Sequence, residues 1–332
     1  MDNAPKTPLD QLLDRRFDTF QEEHLLSEGY KNCDYGPYLK YTLESMQPLD
    51  TAQTKRLYTV SGKVLQRIRG FINERSVNVD LRYQGAVHTN THVQLNNELE
   101  ILAILRPGNK VEAYKNVEKL GALLMSLFSG EPESFETVDF SNKVNIELTT
   151  RRPDIKLKVL PTIWVDTTAY RGSRREIDRG IAEYDFLNRT RKSYLPFRNM
   201  ARVNMKDARV SGNLKRLLRL IKNIQLDSEE KIDLSDYELT CCLYHIQEKK
   251  LSVPTESLVA MLPTVANYLE KLGKTGMFRR IISPSKKELV FGNKEDKGEE
   301  LIKLKRQLNL LLTQLKDELK SDQKTIDHSF KY

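Results

Sequence analysis

The sequence predicts a bilobed α/β protein, with a mixed-sheet lobe near residues 57–170 and a helical lobe near 171–290. Residues 1–56 read as a helical lead-in, and 291–332 as a C-terminal amphipathic helix and tail. Three observations predict this. Period-two alternation recurs between residues 77 and 165, with helical spacing between the alternating stretches. Beyond Tyr170 the apolar positions recur at helical spacing. A chain of 332 residues is long enough for about two domains at roughly 150 residues each.

The elements follow in order. Leu57, Val60, Val64, Ile68, Phe71 and Ile72 predict a helix ending near Asn73. Val77, Val79, Leu81 and Tyr83 alternate with polar residues and predict a strand running into Gly85. The polar stretch from His88 to His92 reads as a loop. A second strand spans Glu98 to Leu105, with Glu98 and Glu100 on one face and Leu99, Ile101, Ala103 and Leu105 on the other. A helix over about Asn116–Phe128 and strands over Val144–Thr149 and Ile155–Val165 complete the lobe, with Arg152, Pro153 and Asp154 as a turn. In the helical half, Leu214, Leu217, Leu218, Ile221 and Ile224 form one stripe. The run from Asp233 to Asp236 caps a helix over Tyr237–Glu248. A further helix over Ser257–Lys271 is expected to bend at Pro263. The last helix, Glu299–Leu319, carries Leu301, Leu304, Leu308, Leu311 and Leu315, expected to pack on the lobe, with a dimerising coil as the alternative.

Composition narrows the function classes. Apolar residues make up 39% and charged residues 30%, and Leu, Ile and Val recur regularly, which excludes a disordered chain. No apolar run approaches the ~20 residues that span a bilayer, so no membrane partner is expected. The N-terminus is charged and lacks the apolar core of a signal peptide. Three cysteines, two of them adjacent (Cys241, Cys242), make neither a disulfide framework nor a zinc pair. A cytoplasmic setting is expected. Lys and Arg number 54 against 46 Asp and Glu, and the net charge of +8 favours phosphate-bearing partners.

One constellation carries chemistry. A strand ends at Gln84, Gly85 and Ala86, and Thr91 follows. A strand then presents Glu98 and Glu100 on one face. Glycine lets backbone approach phosphate, and paired carboxylates facing one way suit divalent metals. Read alone, the two glutamates would be solvated strand residues. Lys215, Arg219 and Lys222 form a basic stripe opposite the leucines, either a solvated face or a phosphate rail. Arg171, Arg174, Arg175 and Arg179 read as a solvated surface cluster, or as a nucleic-acid contact. His88 and His92 read as loop polarity, Cys241 and Cys242 as buried packing, and Trp164 as core.

The constellation resembles the signature of the DNA-polymerase-β-like nucleotidyltransferases. Within them it is most similar to the cGAS-like and CD-NTase second-messenger synthases of bacterial anti-phage systems. The segment from Asp154 to Pro161 resembles their third strand, and Gly180 to Asp185 the segment entering the helical lobe. Ser211 to Lys222 is similar to their basic helix, and Asp233 to Leu239 to their next helix start. The resemblance covers about residues 57–270. It implies a nucleotidyltransferase palm lobe and a cleft that binds a nucleoside triphosphate or related nucleotide. It also implies that Gln84, Gly85, Ala86, Thr91, Lys222 and Ser235 touch the nucleotide.

The departures from that pattern bear on chemistry. The serine after the glycine is Ala86, the acid pair is Glu98 and Glu100 instead of two aspartates, and the third acid is Lys158. Mg²⁺ requires oxygens at about 2.0–2.1 Å in near-octahedral geometry, which the longer Glu100 suits less well than an aspartate. Lys158 is expected to pair with Glu98 or Glu100 and stand in for the metal. Two functions follow from the resemblance. The first is a nucleotide-binding protein with a degenerate metal site, acting with a protein partner in a signalling or defence system. The second is an active nucleotidyltransferase that uses Mg²⁺ or Mn²⁺ held by Glu98 and Glu100. The net charge alone supports a third, a non-catalytic nucleic-acid-binding module.

Overall fold

The computed structural model describes residues 36–93, 98–106, 113–130, 135–139, 145–150, 155–185, 190–292, 294 and 296–329. The turn at Arg152–Asp154 and most of the N-terminal lead-in, including Cys33, lie outside the described residues.

The chain enters through α1 (Pro37–Met46) and α2 (Thr51–Asn73). Pro37 sits in the first turn of α1, where its missing N–H leaves no bond unmade. The Glu318 carboxylate, far along the chain, accepts from the Tyr38 and Leu39 amides at 2.8 and 2.9 Å. A side chain of the last helix thereby satisfies donors that every helix start leaves open. α2 ends at Asn73, as its spacing predicts, and buries Leu57, Val64, Ile68 and Ile72.

The sheet follows. β1 (Val79–Gln84) leads through α3 (Ala86–Thr89) to β2 (Glu98–Leu105), and α4 (Ala113–Ser129) leads to β3 (Phe135–Asp139), β4 (Ile146–Thr150) and β5 (Lys156–Val165). The strand order is β1-β2-β5-β4-β3. After α5 (Thr168–Ser173), a hairpin of β6 (Gly180–Asp185) and β7 (Thr190–Tyr194) extends the sheet from the end of β5. β2 and β5 run parallel, and the other strand pairs run antiparallel. Leu99, Ile101, Ala103 and Leu105 bury one face of β2 against α2 and α4. On the other face Leu102 and Ile104 pack with Leu160, Trp164 and Ile181.

Three expectations are corrected here. β3 has no counterpart in the sequence reading, because among its described side chains only Phe135 is buried and no alternation results. β6 and β7 lie within the stretch from residue 171 onward that reads as helical. β7 is polar along its length and shows no buried face to betray a strand. His88, expected in a loop, sits in the short α3.

The helical lobe comprises α6 (Pro196–Arg209), α7 (Asn213–Asp227), α8 (Asp236–Tyr244), α9 (Glu248–Leu251), α10 (Leu262–Thr275) and α11 (Lys297–Ser329). Pro263 does not bend a helix. It sits in the first turn of α10, after a 3-10 segment over Thr255–Met261. The leucine stripe of α7 and the stripe of Leu301, Leu304, Leu308, Leu311 and Leu315 share one core with Leu39, Leu43 and Met46 of α1. The last helix therefore packs on the lobe, and α1 packs with it. Cys241 and Cys242 are fully buried there, and burial pushes the Cys241 thiol up to about 12. Among the described residues, no helix is long and apolar enough to cross a membrane.

Candidate functional site

A cavity of about 550 Å³ opens between the sheet and the helical lobe. Gln84, Gly85, Ala86, Thr91, Glu98, Glu100, Lys158, Lys222 and Ser235 all line it, so the residues singled out in sequence meet in one place. The topology explains the meeting. β1 delivers the Gly85 turn, the parallel pair β2 and β5 delivers the acids and Lys158, and α7 and α8 close the far wall.

Gly85 has φ +86° and ψ −159°, a conformation open almost only to glycine. A Cβ there would stand 3.1 Å from Glu100 Oε2. The turn and the acid strand are thus in close contact. Behind them, the Thr89 and Thr91 hydroxyls lie 3.0 Å apart.

Strand register sets Glu100 opposite Lys158. The ammonium bends to the other acid, and Lys158 Nζ lies 2.7 Å from Glu98 Oε1. Burial works against its charge, but the bond to Glu98 and the fields of Glu98, Glu147 and Glu100 hold its pKa above the usual lysine value. Glu100 lies deeper. Burial lifts its carboxyl to about 7, the like charge of Glu98 adds to the rise, and Lys158 and a hydrogen bond from Gln84 oppose it.

The far wall is also internally bonded. Lys222 is 2% exposed and donates to the Thr91 carbonyl at 2.9 Å and to Asp236 at 2.6 Å. Arg219 donates to the carbonyls of Met46 and Asn90, both at 2.7 Å. Lys215 stays at the edge, 3.8 Å from Asp207. The stripe is not a solvated face, and Lys222 lines the cavity while making these bonds. Around Arg219 and Lys222 the polar face of α7 is covered by α1 and the loop after α3, and these two cations fasten those segments. Ser235 caps α8 through a capping box with Glu238.

Several cavity residues escaped the sequence reading. Glu183 of β6 accepts from the Tyr194 hydroxyl of β7, and burial raises the pKa of both groups. Gln84 also bonds the Tyr194 hydroxyl, so a polar chain runs from Glu183 through Tyr194 and Gln84 to Glu100. Glu288 accepts from the Tyr237 hydroxyl at 2.6 Å and lies 3.6 Å from Lys192. Alternation within Gly180–Asp185 marks Glu183 as facing one way. Nothing local marks Glu288, which arrives on the bridged segment joining Ile282 to Leu289.

The donor set at the acid strand is two glutamates and a lysine. One acid of the pair already holds an ammonium, the other is lifted toward keeping its proton, and the third position supplies a cation. Among the described residues, no group of three or more His, Cys, Asp or Glu side chains is arranged to hold a metal ion.

Residues 201–312 match the cGAS/DncV-like nucleotidyltransferase C-terminal helical domain. The chain superposes on the STING-associated CdnE c-di-GMP synthase from Capnocytophaga granulosa with a TM-score of 0.76, over 93% of this chain and 98% of that one, at 22% identity. The fold is that of the CD-NTases. A cyclic dinucleotide synthase, CdnE, from Yersinia aleksiciae is 26% identical over 314 residues, 89% of this chain and 81% of that protein. A c-di-GMP synthase from a Lachnospiraceae bacterium is 23% identical over 299 residues, 79% of this chain and 84% of that protein. Seen as a CD-NTase fold, the Gly85 turn, the acid strand and α7 face the cleft where two lobes meet, the common position for a ligand.

Proposed function

We propose that this chain is a nucleotide-binding protein with a CD-NTase fold and a degenerate metal site, acting in a nucleotide-signalling or anti-phage defence system. The observation that supports it is the Lys158 to Glu98 ion pair, 2.7 Å long, at the acid cluster of the cleft. A carboxylate bound to an ammonium is a poor metal ligand, because the cation must first be displaced from a half-buried position. In this reading Gln84, Gly85, Ala86 and Thr91 bound the ligand from the sheet side, and Ser235 and Asp236 from the helical side. Lys222 holds the Thr91 loop in position. The defence role and a protein partner rest on the resemblance to the STING-associated synthase.

A second reading is an active nucleotidyltransferase that makes a nucleotide oligomer or second messenger from nucleoside triphosphates. The names of its relatives favour it, since they are cyclic dinucleotide and c-di-GMP synthases. Here Glu98 and Glu100 would hold Mg²⁺ or Mn²⁺ once Lys158 turned away.

One experiment separates the two. Pooled labelled nucleoside triphosphates are incubated with the wild type and with Glu98→Ala/Glu100→Ala, with Mg²⁺ and separately with Mn²⁺. New phosphodiester species are sought by mass spectrometry, and nucleotide-dependent thermal shifts are recorded. The binding reading expects no product with either metal and a thermal shift with nucleotide. A product that disappears in the double variant overturns it in favour of the enzyme.

A further inference from the structure

Glu288 reaches the cleft on a turn that is fastened to two helices. The turn closes on itself, with the Ser283 amide donating to the Glu288 carbonyl at 2.9 Å and the Lys286 amide to the Ser283 carbonyl at 2.8 Å. From α6, Asn199 Oδ1 accepts from the Ser285 amide and Arg202 donates to the Pro284 carbonyl, both at 2.7 Å. His245, at the end of α8, donates from Nε2 to the Ile282 carbonyl at 2.7 Å. Ser283 and Ser285 are buried, and their hydroxyls lie 3.0 Å apart. Connecting segments are ordinarily the loosest parts of a fold and carry its binding residues. This one is tied down just where it delivers an acid to the cavity.

The carboxylate so placed is half used. Its Oε1 accepts from the Tyr237 hydroxyl at 2.6 Å. Burial raises the pKa of that phenol well above the usual tyrosine value, so it stays a donor. Oε2 accepts no hydrogen bond from the described residues. Lys192 is 64% exposed and stands 3.6 Å from it, outside hydrogen-bond range. The Glu288 side chain is only 14% exposed, and it lines the cavity with Tyr237, Thr240 and Asn199. A desolvated acceptor without a donor is costly, so a ligand that brings N–H groups to it gains by doing so.

Resting on the nucleotide-binding reading above, we infer that Glu288 reads the base of the nucleotide and selects guanine. The Gly85 turn takes the phosphate end from the sheet side, and the base lies against the helical wall, where Glu288 stands. An ionised carboxylate only accepts hydrogen bonds. Guanine carries two adjacent donors on its pairing edge, N1–H and the N2 amine, and meets such a group without loss. Adenine and cytosine each set a ring-nitrogen acceptor beside their amine, and uracil flanks its one N–H with two carbonyls. Each of these turns an acceptor toward the carboxylate, which selects against it. Tyr237 and Asn199 are positioning residues: the first fixes one oxygen of Glu288, and the second holds its turn.

Calorimetric titration of the full chain with GTP, inosine triphosphate and ATP, each with Mg²⁺, tests this. Inosine triphosphate keeps N1–H but lacks the N2 amine, and ATP has an acceptor at N1. GTP is expected to bind at least about 10-fold more tightly than ATP, with inosine triphosphate between them. Glu288→Gln replaces one acceptor by an amide donor and is expected to bring the GTP to ATP ratio within about 2-fold or to reverse it. The three ligands carry the same triphosphate, so the ratio cancels any change in the charge of the cleft. Asn199→Ala unties the turn while leaving the carboxylate, and is expected to lower the ratio by about 3-fold or more, which guards against one variant that folds poorly. Equal affinity for GTP and ATP in the wild type, or a guanine preference that Glu288→Gln leaves intact, overturns the inference while nucleotide binding stands. Failure of all three ligands to bind overturns the nucleotide-binding reading itself, and the inference with it.

Discussion

The Lys222 ammonium donates to the Thr91 carbonyl oxygen over 2.9 Å, carrying a bond from the core of the helical lobe to the loop behind the Gly85 turn. The same ammonium holds Asp236 at the start of α8. One buried cation thus fixes the cavity from two sides. Lys222→Met keeps the bulk of the stem but strands a carbonyl and a carboxylate. Unpaired partners of this kind cost roughly 2–4 kcal/mol. Urea unfolding should report a loss of that size. Lys215→Met, at the half-exposed edge of the same helix, should stay within about 0.5 kcal/mol of the wild type. Equal effects from the two substitutions would show that Lys222 is no tether.

Glu100 makes stability depend on pH. Burial and Glu98 lift its carboxyl from 4.5 to about 7. Between those values the unfolded chain has released a proton that the folded protein keeps. Stability therefore falls as pH rises through the window, by roughly 3 kcal/mol at most. Glu100→Gln removes this penalty while keeping an acceptor for Gln84. The variant should match the wild type near pH 4 and exceed it by roughly 1–3 kcal/mol at pH 8. Chemical denaturation at the two pH values decides it.

His92 acts in the opposite direction. It is 1% exposed, its Nε2 is 3.2 Å from the Thr54 hydroxyl, and its Nδ1 has no partner. Burial first, then Lys222 and Arg219, depress its pKa from 6.5 to about 4. Its contribution is present above pH 6.5 and is lost as pH falls toward 4, because the unfolded imidazole binds a proton that the folded one refuses. The two groups offset each other between pH 4.5 and 6.5. The wild-type profile should be nearly flat there. His92→Gln should gain stability as pH falls across that interval, and Glu100→Gln should lose it. Parallel profiles for all three proteins would refute the account.

The contrast between α7 and the sheet shows what the sequence could reveal. The alternation of β1 and of the first residues of β2 and β5 is visible in the sequence, and the Gly85 turn, the acid pair and Lys158 lie on that regular frame. Helices with one leucine stripe are equally visible. Burial of a polar face is not. Arg219 and Lys222 sit opposite the leucines of α7, where spacing predicts solvent or ligand, yet α1 and the Asn90–Thr91 loop cover them. β7 and Glu288 reach the cavity only through tertiary packing, so no local pattern announces them. Period two puts Lys158 on the same side as Glu98 and Glu100, but it leaves both acids open as partners; register sets Glu100 opposite, and only the packed side chains turn the ammonium to Glu98.

Gly85 joins backbone geometry to the acid strand, and two costs can be separated there. Its φ of +86° with ψ of −159° falls where side chains are strained by about 1–3 kcal/mol. An added Cβ would also stand 3.1 Å from Glu100 Oε2, so the carboxyl must retreat. Gly85→Ala should therefore lose roughly 2–4 kcal/mol, the strain and the contact together. Shortening the acid removes only the second cost. In a double-mutant cycle with Glu100→Ala, the coupling between the two sites should be about 1 kcal/mol, and the remaining loss should persist as backbone strain. Ala86→Gly, one residue on, adds no contact and should cost about 1 kcal/mol or less. Strict additivity in the cycle would mean that the Gly85 turn and Glu100 do not touch in solution.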